Sequence, residues 1–233
     1  MNHEINTNRM TRTILLTSLF SLFFLTHIFS AEDIQVENKQ EKENHHHQLA
    51  TKIIGGMRLS DTDKSARLIV ATVNYLDTLE KILKVRATKL QHLDRAYTAE
   101  SAEKTALIVD AYEVARDAFL PLKKKYVSQL ADGLVPYQVD RVKDGLTRDA
   151  FPNFEAMYFE MVPTLKPAER AHILCLLVEG RENAMTATDD EGQKQWWDKY
   201  RGIINNFIAS QGYDFGKLSK AWDQANPDKE WAH

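Results

Sequence analysis

Trp197, Arg201 and Asn205 stand four residues apart, and on a helix that spacing makes a row. At about 100° per residue the three positions drift only slowly around the axis. An indole, a guanidinium and a carboxamide are then presented together. Such a trio suits a sugar: the ring covers a C–H face, while Arg201 and Asn205 bond hydroxyls in its plane. On the same wheel Trp196, Tyr200, Ile203, Ile204 and Phe207 form the centre of the apolar face. Trp197 and Ile208 fall on its margin, so the row is expected where that face meets water. In the plainer alternative, Trp197 covers a neighbouring helix and Arg201 lies over it with its charged head in solvent.

Arg181 is the second residue with chemical promise. It falls within the apolar face made by Ile173, Leu174, Leu177, Ala184 and Met185. A buried guanidinium must be paired, because an unpaired one costs several kcal/mol of lost hydration. Either a carboxylate meets it, with Asp144, Asp198 and Glu100 as candidates, or it lines a pocket and meets a ligand.

Enzyme signatures are missing. There is no His-Glu-x-x-His, no Gly-x-Ser-x-Gly, no phosphate-cradling glycine loop and no cysteine cluster. Catalytic residues, cofactors and a metal site are therefore not assigned. The lone Cys175 sits in an apolar run and reads as a small buried hydrophobe rather than a nucleophile. His45, His46 and His47 occupy a polar tract without preset geometry, which favours adventitious metal binding only. A net charge of -3 with both signs interspersed excludes a nucleic-acid binder, which needs a concentrated basic stripe.

These residues need helices to position them, and the chain supplies helices throughout. From Leu59 onward the chain reads as helix after helix, with apolar residues recurring in steps of three and four, and no run alternates with period two. The long stretch Asp61 to Tyr97 lacks both Gly and Pro, with Ser60 as its cap. A second helix is expected from Ala102 to about Leu130, kinked or broken at Pro121, and joined to the first as an antiparallel hairpin. Shorter helices follow: Pro136 to Gly145, Phe151 to Val162, Pro167 to Thr186, Gln193 to Ser210 ended by Gly212, and a last piece around Leu218 and Trp222. The fold class is all-α, a helical bundle built on a long N-terminal hairpin.

The N-terminus has the grammar of an export signal. Arg9 and Arg12 precede the sixteen uncharged residues Ile14 to Phe29, and the small Ser30 and Ala31 follow. The apolar run falls short of the roughly 20 residues a membrane span prefers. The expected organisation is a signal peptide over 1–31, a disordered polar linker over 32–52, one helical domain over 53–225 and a tail over 226–233. No stable membrane anchor would remain after cleavage. With one cysteine and no intramolecular disulfide, about 200 residues must be stable from packing alone.

Three segments carry a resemblance: Val142-Lys143-Asp144-Gly145-Leu146-Thr147, Glu179-Gly180-Arg181-Glu182-Asn183-Ala184-Met185, and Trp196 through Asn206. With the Leu-Ser-Asp start at Leu59, they resemble an uncharacterised family of secreted helical proteins from Bacteroidetes-type bacteria. The likeness covers about Ile53 to Tyr213. It implies sugar binding beside plant-polysaccharide utilisation, with no catalytic residues to carry over. A weaker likeness links Leu134-Val135-Pro136-Tyr137-Gln138 to the Leu-Thr-x-x-Gln motif of Spy-type periplasmic chaperones. There Val135 replaces the capping threonine, and those chaperones are shorter, with a basic cradle. The expected protein is a periplasmic or secreted, non-catalytic carbohydrate binder whose partner is an oligosaccharide or polysaccharide. Its ligand-binding residues are Trp197, Arg201, Asn205 and Arg181; the alternative is a Spy-like helical chaperone or stress adaptor.

Overall fold

The computed structural model describes residues 45–227. Within them lie eight helices and no strand. These are α1 over 45–56, α2 (Thr62–Ala96), α3 (Ala102–Ala131), α4 (Pro136–Leu146), α5 (Ala150–Met161), α6 (Pro167–Ala184), α7 (Asp190–Ser210) and α8 (Phe215–Ala225). Among the described residues no helix is long and apolar enough to cross a membrane. The export signal expected over 1–31, most of the linker and the end of the tail lie outside the described residues.

Capping explains most boundaries. The side chain of Asp61, rather than Ser60, accepts from the Lys64 N–H at 2.8 Å and starts α2. Ser101 does the same for Lys104 at 3.0 Å and starts α3. At α6 the Lys166 N–H donates to Glu169 Oε2 at 2.8 Å. Gly212, with φ at +89°, follows the end of α7 in the left-handed conformation that glycine adopts without penalty. Pro121 does not break α3. It is exposed, so the carbonyl it leaves without a partner can turn to water.

Helices α2 and α3 run antiparallel. Tyr126 meets Thr72 and Tyr75 near the hairpin's base, its ring stacked on Tyr75 with centroids 4.4 Å apart. Lys104 meets Asp94 near the turn. This pair shares one apolar cluster with α1 and α4, in which Ile54, Leu79, Leu130 and Val142 are buried. A second cluster joins α5, α6, α7 and α8 around Phe154, Ile173, Leu177, Ile204 and Ile208. The Tyr75 hydroxyl ties the hairpin to the end of α6 by donating to the Met185 carbonyl at 2.7 Å, and the Met185 side chain packs into the first cluster.

Two expectations need correction. Residues 45–52, read as linker, belong to α1, whose His46, Ala50 and Ile54 form a buried stripe. His46 Nδ1 stands 2.7 Å from Asp77 Oδ1 on α2, so the segment is fixed by packing that its polar composition hides. The hairpin is consequently not the first helical element. Cys175 is exposed, not buried, because α6 turns Ile173, Leu176 and Leu177 to its neighbours and leaves the thiol outside.

Candidate functional site

Helix α4 has two working faces. One carries Asp140 and Asp144, and it is held from beneath by α6. Arg181, 4% exposed, donates to Asp144 Oδ1 at 2.7 Å and to Asp140 Oδ1 at 2.6 Å. Its guanidinium carbon also lies 4.9 Å from the Phe151 ring centroid. Burial pushes the Asp144 carboxyl above its ordinary value despite the guanidinium beside it. Next to this pair Lys143 Nζ and Lys123 Nζ reach Glu182 at 2.7 and 3.3 Å. Burial works to raise Glu182, but the two ammonium groups outweigh it and hold the carboxyl below its ordinary value. Of the two readings left open for Arg181, the carboxylate partner is the one present, and Asp144 is among the candidates named for it.

The neighbouring face of α4 borders an open cavity of about 600 Å³. Leu49 and Ile53 of α1, with Met57 just past its end, make its apolar wall. Tyr137, Gln138 and Arg141 of α4 make the polar one, with Lys52 from α1 and Arg148 and Asp149 from the α4–α5 turn. The Tyr137 ring is 68% exposed. Gly145 lets the two helices meet, since a Cβ there would stand 2.9 Å from Ile53 Cγ1. The helix continues past it to Leu146, so Gly145 is a point of close approach rather than a stop.

The turn that closes the cavity is strained. Arg148 and Asp149 both adopt left-handed backbone, with φ of 61° and 55°. Non-glycine residues adopt that region at a cost of about 1–2 kcal/mol each. What holds them is a set of bonds to the turn's base. The Asp149 N–H donates to the Asp144 carbonyl at 2.8 Å, and Thr147 Oγ1 to the Lys143 carbonyl at 3.0 Å. From α7, Gln193 Nε2 donates to the Leu146 carbonyl at 2.9 Å. The arrangement projects two guanidinium groups, Arg141 and Arg148, and each is met by a carboxylate, Asp149 and Asp190 respectively. Among the lining residues Asp149 is the sole carboxylate, so the chemistry on offer is binding by ring, cation and amide rather than paired acid and base.

The row expected on α7 is laid out differently. Trp197 is 5% exposed, whereas Trp196 is only partly buried. The Trp197 indole lies against Phe154 and over Gly180, where a Cβ would come within 2.9 Å of its ring. A ring enclosed in this way offers no flat face to a sugar. The buried stripe of α7 is Gln193, Trp197, Tyr200, Ile204 and Ile208, displaced by about one position from the wheel centre. Glycine at 180 is the reason: it opens a notch in α6, and the helix pair rotates to seat Trp197 in it. Arg201 stacks on Phe154 and pairs with Asp198, and Asn205 Oδ1 accepts from Tyr158 Oη at 2.8 Å.

Arg181 and Trp197 therefore lie inside, where Arg181 fixes α4 from behind the cavity, and Arg201 and Asn205 lie beside α5. The spacing that singled out Trp197 and Arg201 recurs on α4 as Tyr137 and Arg141, both exposed. Tyr137, Arg141 and Arg148 were not singled out. The signal available for them was an aromatic four residues before an arginine, on a short helix whose apolar edge lies elsewhere.

Residues 43–226 match the family described as "Protein of unknown function (DUF3826)". No curated protein matches the chain.

Proposed function

The chain belongs to the DUF3826 family, and on that premise we propose that it is a non-catalytic carbohydrate-binding protein working at the α1–α4 cavity. The observation that carries this reading is the exposed Tyr137 ring beside Arg141 and Gln138, on the rim of a cavity of about 600 Å³. An amphipathic ring with a polar edge suits a sugar's C–H face, and a nearby fork of N–H donors and an amide suit its hydroxyls. The volume falls within the range of about 300–1,000 Å³ usual for small-ligand sites. The strained turn at Arg148 and Asp149 supports the same reading, because strain held in place by surrounding bonds is a mark of binding sites.

In this reading Arg181 and Gln193 serve the site without touching the ligand. They hold α4 and its turn in place, while Trp197 fills the core beneath. Arg201 and Asn205 brace α5, whose first turn follows Arg148 and Asp149. The protein works in the periplasm or outside the cell of a Bacteroidetes-type bacterium, beside plant-polysaccharide utilisation. The three-part N-terminus supports that placement, and mature protein starting near Ala31 or Glu32 is the expected result of N-terminal sequencing.

Calorimetric titration with pectic and hemicellulosic oligosaccharides tests the site. Binding of at least one class is expected, abolished in Tyr137→Ala and weakened by about tenfold in Arg141→Ala, the loss of one good charged hydrogen bond. Tyr137 is exposed, so the helical circular dichroism should survive its truncation. Absence of binding to every class, or binding indifferent to both substitutions, would sink the reading.

A further inference from the structure

Among the described residues, the outer half of the α2–α3 hairpin has no third layer. Up to about Leu83 on α2, and from Ala115 on α3, the pair is covered by α1 and α4. Beyond those points Leu93, Lys104 and Ala111 are its buried residues. An apolar groove of about 460 Å³ runs along the helices from Thr78 and Ala118, beside the covered part, out to Lys89 and Asp110, floored by Ile82, Val85, Ala111 and Val114. Val85 is 68% and Val114 60% exposed. Most helical stability in a protein comes from packing an apolar face against something. A hairpin with such a face open lacks the layer that ordinarily completes it.

Charge indicates what fits there. Between residues 81 and 95, α2 carries Lys81, Lys84, Arg86, Lys89 and Arg95 against the single Asp94. Between 103 and 117, α3 carries Glu103, Asp110, Glu113 and Asp117 against Lys104 and Arg116. One edge of the groove is basic and the other acidic. A second copy turned about a two-fold axis parallel to the helices would set each α2 antiparallel on its partner's α3. Lys81 and Lys89 would then face the acidic edge that begins at Asp110. A two-fold axis across the helices would instead stack basic on basic. The surface is self-complementary in one orientation only, as an isologous interface requires.

We infer that this arm is a self-association surface on which two copies of the chain pack as a four-helix bundle around the Val85–Val114 groove. Its size sets its strength. An arm roughly 25 Å long and 20 Å wide buries on the order of 500 Å² per copy. The total, on the order of 1,000 Å², is at the lower limit for a specific interface, so the dimer is reversible rather than obligate.

Sedimentation equilibrium of the protein from about 1 to about 300 μM tests this, with association weakening as salt rises. Val85→Glu and Val114→Glu lie on open surface and should leave the monomer folded while weakening association by at least about tenfold. The decisive pair is a charge swap. K81E/K89E and D110K/E113K should each fail to self-associate, and their mixture should form a heterodimer, because only the mixed pair restores opposite charge on both edges. A monomer at every concentration overturns the inference, as does a dimer indifferent to the swaps. A monomer that instead holds an unfolding client through this groove, with Val85→Glu abolishing the holding, assigns the surface to clients and overturns it too.

Discussion

The α6–α7 pair and the outer part of the α2–α3 pair are both antiparallel helices, yet their surroundings differ. Around α6 and α7, helices α5 and α8 supply further layers, and Ile173, Leu177, Ile204 and Ile208 are wholly enclosed. The outer arm encloses one leucine, Leu93, one alanine, Ala111, and the stem of Lys104, whose ammonium is tied to Glu100 and Asp94. Local sequence makes both pairs helical to similar precision. Coverage decides which of them is rigid core and which is open surface, and coverage is a property of distant chain.

The largest effect is expected where coverage is deepest. Trp197→Ala should lower unfolding free energy by about 3–5 kcal/mol in urea titration, as truncating an enclosed aromatic does. Trp196→Ala should cost less, about 1 kcal/mol, since its ring is only partly buried at the edge of the cluster, with Lys199 Nζ 5.2 Å from its centroid. Equal losses at the two positions would mean that α7 is covered evenly, and the contrast with the arm would weaken.

Next comes the buried ion pair. Asp144→Ala should cost about 2–3 kcal/mol, below the 3–5 of a fully abandoned buried charge, because Asp140 still receives Arg181. The joint change Arg181→Met with Asp144→Leu should recover most of that loss, which thermal unfolding of the double variant checks. Failure to recover would show that the charges do more than hold α4 in place.

Glu182 sharpens the comparison through pH. Its folded-state value lies below the ordinary 4.5, so its contribution to stability is full above that value and is lost as pH falls through the lowered one. Glu182→Gln should flatten the acid limb of a stability–pH profile while costing stability at neutral pH. An unchanged acid limb would locate the acid sensitivity elsewhere.

The smallest global effect is expected in the arm. Leu93→Ala should leave the unfolding midpoint almost unmoved, while amide exchange in α2 beyond Leu83 and in the first turns of α3 quickens. A midpoint shift as large as that of Trp197→Ala would show that the arm is part of the cooperative core.

Helix boundaries were legible because their causes are local. A proline opens α4 and α6, Gly212 follows α7, and the acidic residues after Ser60 start α2 within one residue of expectation. Arg181 was legible too, since a guanidinium on an apolar face has to find a carboxylate wherever the chain supplies one. The face of α7 was not. A wheel weighs all apolar residues alike, and which tryptophan turns inward depends on the notch at Gly180, seventeen residues away. That glycine, in mid-helix where alanine would be favoured by about 1 kcal/mol, was the available clue. His46 was hidden for the same reason: its polar tract says linker, and its partner Asp77 lies in another helix. The cavity could not be read at all, since it exists only where α1 folds back on α4.

The Tyr75–Met185 bond bears on the order in which the chain acquires its shape. A chain delivered N-terminus first presents α1 to α4 well before α6 exists, and the stacking of Tyr75 on Tyr126 needs nothing beyond residue 126. All of the first cluster except Met185 can therefore assemble while its tyrosine hydroxyl still has only water to bond. Met185 arrives later and closes a loop of 110 residues. Doubling such a loop's length adds only about 0.6 kcal/mol to the entropy of closing it, so once both regions exist their docking is not held back by distance along the chain. A chain truncated before α6 would keep its helices but leave a wetted tyrosine at the seam, which marks that seam as the place to look for the last step of assembly.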